Sequence, residues 1–159
     1  MGAPIPVVSK LLQLGASKTS RTRWTEFPWP DMSPLELAQH LGATELIDML
    51  RPTIRMPVPL HVLHMLQGQF HQLIEYDMGS RYKAAEWCLP QLEPLLELDA
   101  REWIWFPVGF GGGHGDRDEG YWYCIDGRDL LIRADNVRDR GGYRISVDGV
   151  FQVEQAIVS

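Results

Sequence analysis

The sequence predicts an α+β protein, with helical hairpins at the N-terminus docked on a domain of two or three helices followed by a four- or five-stranded antiparallel sheet. Three observations carry this prediction. Apolar residues recur at helical spacing before residue 100 and alternate with a period of two from residue 103 onward. A rigid stretch with three prolines, RPTIRMPVP at 51–59, marks a boundary between an N-terminal unit, residues 1–57, and an α+β domain, residues 58–159. Asp-Gly pairs at 126–127 and 148–149 stand between apolar runs, where hairpin turns belong.

The elements follow in order. VVSKLLQLGAS, at 7–17, reads as a helix that exits at Gly15. In SPLELAQHLGATELIDML, at 33–50, Ser33 is a good N-cap, Pro34 suits the first helical turn and Gly42 can take a left-handed turn between two helices. A long helix is expected over about 59–78, because Val62, Leu63, Leu66, Phe70, Leu73 and Ile74 share one face at 100° per residue. A second helix is expected at 81–88. Pro90 interrupts it, and QLEPLLELD forms one more short helical turn, so the helices of this domain occupy about 59–98. The strands, within about 103–158, are WIWFPVGF, GYWYCI, DLLIRA, GYRISV and GVFQVEQAIV, with RADNVRDRGG as a polar loop.

A chain of 159 residues buries roughly 70% of its unfolded surface, enough for a core without staples. Two cysteines exclude a disulfide scaffold and a four-cysteine zinc site. The formal charge is −6 and sits unevenly. Residues 75–126 hold four cations and eleven anions, residues 1–57 hold six and five, and residues 127–159 hold five of each. An acidic surface argues against a nucleic-acid binder and for a basic partner. With no apolar run of about eighteen residues and no signal-peptide pattern, the expectation is a cytoplasmic protein without membrane contact.

Residues 33–50 resemble the ankyrin repeat: Ser33-Pro34-Leu35 fills its Thr-Pro-Leu start, Ala38 its small helix-packing position, Gly42 its turn, and Leu46, Ile47, Met49 and Leu50 its second helix. Residues 7–17 are similar to the end of a preceding repeat, which makes about one and a half repeats with an insertion around RTRWTEFPWPD. Pro52 and Thr53 depart from the usual repeat exit. Further on, Pro107-Val108-Gly109, the glycine-rich loop to Gly120 and the aromatic strand from Tyr121 to Asp126 resemble the SUKH superfamily over about thirty residues. Many bacterial members of that superfamily are immunity proteins that neutralise a cognate toxin, and ankyrin repeats also occur as immunity proteins beside bacterial toxins. Both resemblances therefore imply a bacterial protein-binding protein and bring no catalytic residue.

The residue patterns of the kind that carry chemistry point the same way. GFGGGHGDRDEG, at 109–120, lacks the Gly-Lys-Ser/Thr ending of a phosphate loop, no helix is expected after it, and three acids crowd it. Asp116, Asp118 and Glu119 fail the EF-hand spacing, since Gly120 and Gly127 stand where ligands belong. His61, His64, His71 and Glu75 share the polar side of the long helix, but His64 and His71 are about 10 Å apart and cannot share one zinc. Cys88 and Cys124 have no legible activating partner. Glu93, Glu97 and Glu102 read as a solvated face.

The expectation is accordingly a non-enzymatic protein, without metal or cofactor, that binds and neutralises a basic toxin domain by occluding its active site. Trp24, Trp29, Asp116, Asp118 and Glu119 are the candidate partner-binding residues: the tryptophans flank Phe27 in the inserted finger, where aromatics either anchor a partner or cover the small helical unit. Alternatives are an adaptor or chaperone-like module gripping another protein through the ankyrin-like unit, and a small hydrolase using the His71 region.

Overall fold

A computed structural model describes residues 5–22, 28–79, 88–109, 119–135 and 141–154. Its described elements are α1 (Ile5–Gln13), α2 (Pro34–His40), a 3-10 turn (Thr44–Leu46) running into α3 (Ile47–Leu50), the long α4 (Leu60–Met78), a 3-10 segment (Glu93–Glu97), and five strands: β1 (Ile104–Gly109), β2 (Glu119–Asp126), β3 (Asp129–Asp135), β4 (Gly142–Ser146) and β5 (Gly149–Val153). The class is α+β. The strands form one antiparallel meander in the order β1-β2-β3-β4-β5. The helix expected at 81–88 falls almost wholly outside the described residues, as do residues 155–159.

The N-terminal helices end by one shared device. In Leu14-Gly15-Ala16 and again in Leu41-Gly42-Ala43, the glycine takes a positive φ, 90° and 68°. Ala16 N–H donates to Leu11 O and Gly15 N–H to Leu12 O, just as Ala43 N–H donates to Ala38 O and Gly42 N–H to Gln39 O. Both are the paired hydrogen bonds of a Schellman cap, which needs the left-handed φ that glycine adopts without a Cβ penalty. At the other end of α2, Ser33 and Glu36 close a capping box, and the Ser33 N–H holds the Glu36 carboxyl below the usual carboxylate range.

The apolar face expected for α4 is the face that packs. Val62, Leu63, Leu66, Phe70 and Ile74 are buried, with Leu73 half-buried beside them. They meet the inward side of the sheet, where Tyr121, Tyr123 and Ile125 alternate along β2 and Leu130, Ile132 and Ala134 along β3. Phe70 stands edge-on to Tyr121, with ring centroids 5.8 Å apart, and tilts against Tyr123 at 5.2 Å. The Tyr121 hydroxyl donates to Asp77 Oδ2 at 2.8 Å, which places a polar contact inside this core.

Two hairpin turns shift by one residue from expectation. Asp126 pairs with Asp129 and Ser146 with Gly149, so the turn residues are Gly127-Arg128 and Val147-Asp148. Gly127 takes φ 66° at the first turn position, whereas in the second hairpin the positive φ, 136°, falls on Gly149 in the strand itself. Asp-Gly therefore marks both hairpins but sits at a different phase in each.

The 3-10 segment corrects the reading of Glu93 and Glu97. Glu93 is 5% exposed and lies among Leu92, Leu95 and Leu96. Glu97 turns to the N-terminal unit, where its Oε1 accepts from Ser17 Oγ, Lys18 N, Thr19 N and Thr19 Oγ1 at 2.8–3.0 Å. Of the three acids expected on a solvated face, Glu102 alone stays exposed, where it accepts from Asp99 N–H.

Candidate functional site

The sheet has a second face, turned away from α4. The residues of alternate register there are Trp103 and Trp105 at β1, Trp122 and Cys124 on β2, Leu131 and Arg133 on β3, Arg144 on β4, and Phe151 and Val153 on β5. The apolar cluster at its centre joins Cys124, Leu131, Trp103 and Val153 and draws on no helix residue among those described. Trp105 and Trp122 are cross-strand partners whose ring centroids lie 5.1 Å apart. The Arg133 guanidinium lies 5.8 Å from the Trp122 ring centroid, within cation–π range. Phe151 is 50% exposed, and the tryptophans are half-buried.

One glycine makes this arrangement possible. A Cβ on Gly120 would stand 2.4 Å from the Phe106 carbonyl oxygen and 2.6 Å from the Trp105 ring, so the indole lies where only a bare backbone passes. Charged pairs border the face. Arg101 donates to Asp126 at 2.9 Å, and this hydrogen bond holds the Asp126 carboxyl below the usual range. Arg144 binds Asp129 through both Nε and Nη2. Burial, with the Asp126 charge adding to it, pushes the Cys124 thiol up to about 12; at neutral pH it is a protonated packing group and no nucleophile.

The polar side of α4 has a different use. His71 Nε2 donates to the Pro90 carbonyl at 2.7 Å, Gln67 Oε1 accepts from Leu92 N–H at 2.8 Å, and His64 Nε2 lies 3.2 Å from Glu93 Oε1. Spaced three and four residues apart, these side chains form a rail along which the 90–93 segment lies. That segment in turn binds the N-terminal unit, since Gln91 exchanges hydrogen bonds with the Arg21 backbone and Thr19 Oγ1 donates to Glu93 O.

Two clefts border these contacts. One, of about 500 Å³, opens between Ser20, Arg21, Cys88, Gln91, Ile104 and Tyr123. The other, of about 280 Å³ and almost wholly apolar, lies between α1 and α2 and is lined by Val8, Leu12, Leu37, Leu41, Leu46 and Leu50. Among the described residues no group of three or more His, Cys, Asp or Glu is placed to hold a metal ion, and no helix is long and apolar enough to cross a membrane.

Of the residues expected to bind a partner, Trp29 packs half-buried against His40 at the end of α2, with ring centroids 6.0 Å apart, and its carbonyl accepts from Thr22 Oγ1. Glu119 opens β2 opposite Gly109. Trp24, Asp116 and Asp118 lie outside the described residues. Sequence reasoning passed over Trp103, Trp105, Trp122 and Arg133, although the signal was present: Trp103 and Trp105, Trp122 and Cys124, and Leu131 and Arg133 are each two apart, so one face collects them all.

No protein-family model matches the chain, and neither a curated protein nor a solved structure is similar to it beyond chance.

Proposed function

We propose that the chain is a protein-binding protein without catalytic chemistry of its own, and more specifically a bacterial immunity protein that binds a basic toxin domain and occludes its active site. The observation that carries the binding reading is the outer sheet face. Tryptophan and arginine dominate interface hot spots, and here three tryptophans, Phe151 and two arginines share one surface on which no described helix packs. The acidic excess over residues 75–126 supports a basic partner, because opposite charge speeds encounter. Asp116, Asp118 and Glu119 provide the steering charge in this reading, and Trp24 and Trp29 are further anchors.

Capture of a partner from the native host, followed by binding kinetics with the purified pair, tests it. Trp122→Ala weakens the complex by about thirtyfold, the hot-spot range, chiefly through faster dissociation. Replacing Asp116, Asp118 and Glu119 by Ala slows association at low salt and has little effect at high salt. A complex indifferent to both changes overturns the assignment of this surface. The adaptor reading draws on the apolar cleft between α1 and α2. It predicts a partner lost on Leu41→Asp and kept by Trp122→Ala.

A further inference from the structure

The two edges of the sheet differ in protection. β1 carries Pro107, and its register with β2 slips between Pro107 and Gly109. Both features blunt an edge against further pairing. β5 has neither. It contains no proline and no charged side chain, its register with β4 runs unbroken over five residue pairs, and no described strand pairs with its other side. A two-residue turn closes this hairpin at Ser146 and Gly149, which makes that pair the hydrogen-bonded one. By alternation, Phe151 and Val153 also direct their backbone groups to β4, and the N–H and C=O of Val150 and Gln152 point outward. Val150 is 42% exposed and Phe151 50%, so the side chains beside these groups are open as well.

Charge indicates what fits there. The uncharged strand is bracketed by Asp148 and Glu154, and neither forms an ion pair with a described residue. A second copy fits poorly. The two-fold register that pairs all five strand residues would set Glu154 of each copy opposite Asp148 of the other, and like charges directly opposite are destabilising. We propose that β5 is a strand-addition site for an extended, antiparallel segment of a protein partner, uncharged in its centre and carrying Lys or Arg at both ends. Main-chain hydrogen bonds to Val150 and Gln152 supply affinity, and the two flanking acids set register and preference. This rests on the protein-binding reading and adds the element of the partner that β5 receives.

The test titrates the full chain with the capped peptide Lys-Thr-Val-Thr-Val-Thr-Lys and follows backbone amide resonances. Shifts and slowed exchange centred on Val150 and Gln152 are expected. Gln152→Pro removes an outward N–H, leaves the β4 ladder intact, and weakens binding by about tenfold. Methylating the peptide amides that face β5 tests the same bonds without altering the protein and has the same effect. Exchanging both peptide lysines for glutamates weakens binding by about threefold to tenfold, and 0.5 M salt removes that difference. No binding, shifts centred on the Trp105–Trp122 face, or indifference to the methylated peptide overturns the proposal. A dimer of the chain abolished by Gln152→Pro overturns it in favour of a second copy. A captured partner that binds the Gln152→Pro variant undiminished overturns the strand-addition site and leaves the protein-binding reading standing. Peptide binding at β5 with no protein partner captured does the reverse.

Discussion

Among the described residues, the helix-on-sheet body collects nineteen buried apolar residues in one cluster, from Val58 to Ile145, while the N-terminal unit buries Ala38, Leu46 and Leu50. The unit leaves Val7, Leu11, Leu14 and Leu41 about half or more exposed. The two clusters share no residue, and the contacts between the regions are largely polar: the loop after α1 wraps the Glu97 carboxylate, and Arg21 and Gln91 exchange backbone bonds. The body therefore draws its stability from burial. The unit, too small to do so, draws on local caps and on acceptors supplied by the body. A region stabilised in this way can open without the rest unfolding.

The largest expected effect breaks the body. Phe70→Ala removes the ring that meets Tyr121 and Tyr123 and costs about 3–5 kcal/mol, read as a shift of the denaturant midpoint for the whole chain. Next comes the junction. Glu97→Ala removes one carboxylate oxygen on which four donors converge and costs about 1.5–3 kcal/mol. Amide exchange should accelerate in α1 and α2 and stay unchanged in α4 and β2–β4; a uniform acceleration would show that the two regions open as one.

Ser33→Ala is smaller, about 1 kcal/mol, and acts within the unit, because it deletes half of the α2 capping box. Circular dichroism of the variant at neutral pH should show the body intact. The last effect shows only at alkaline pH. Burial raises the Cys124 thiol from 9.0 and the Tyr123 phenol from 10.0, each to about 12, so the folded state favours their protonated forms. Their contribution is complete below pH 9 and is lost as pH rises toward 12. Denaturant midpoints taken across that window should fall, and Cys124→Ala should remove the thiol's share of the slope. In the native chain at neutral pH, a thiol reagent should modify exposed Cys88 and spare Cys124.

Much of the body was legible because its signals are local and periodic. Val62, Leu63, Leu66, Phe70 and Ile74 repeat at helical spacing, and each predicted strand overlaps a described one. The unit's glycines were legible too, since Gly15 and Gly42 end helices as Leu-Gly-Ala suggests. Glu93 and Glu97 were misread for a physical reason: their partners, His64 and the 17–19 loop, lie 29 to 80 residues away in sequence, and no spacing rule reaches that far. The outer tryptophans were passed over because alternation marks two faces without saying which one a helix covers.

By itself the sequence determined the elements: where helix gives way to strand, which side of α4 is apolar, and where glycine ends a helix or opens a turn. These follow from side-chain period and backbone sterics, which act over a few residues. The tertiary structure alone decided how the polar groups are used. It set the α4 histidines against the 90–93 segment, buried Glu93, gave Glu97 to the N-terminal loop, and left Trp105, Trp122 and Phe151 on a face without a described helix. A carboxylate or an indole is compatible with solvent, partner or core, and only the neighbours brought to it by folding settle which it meets.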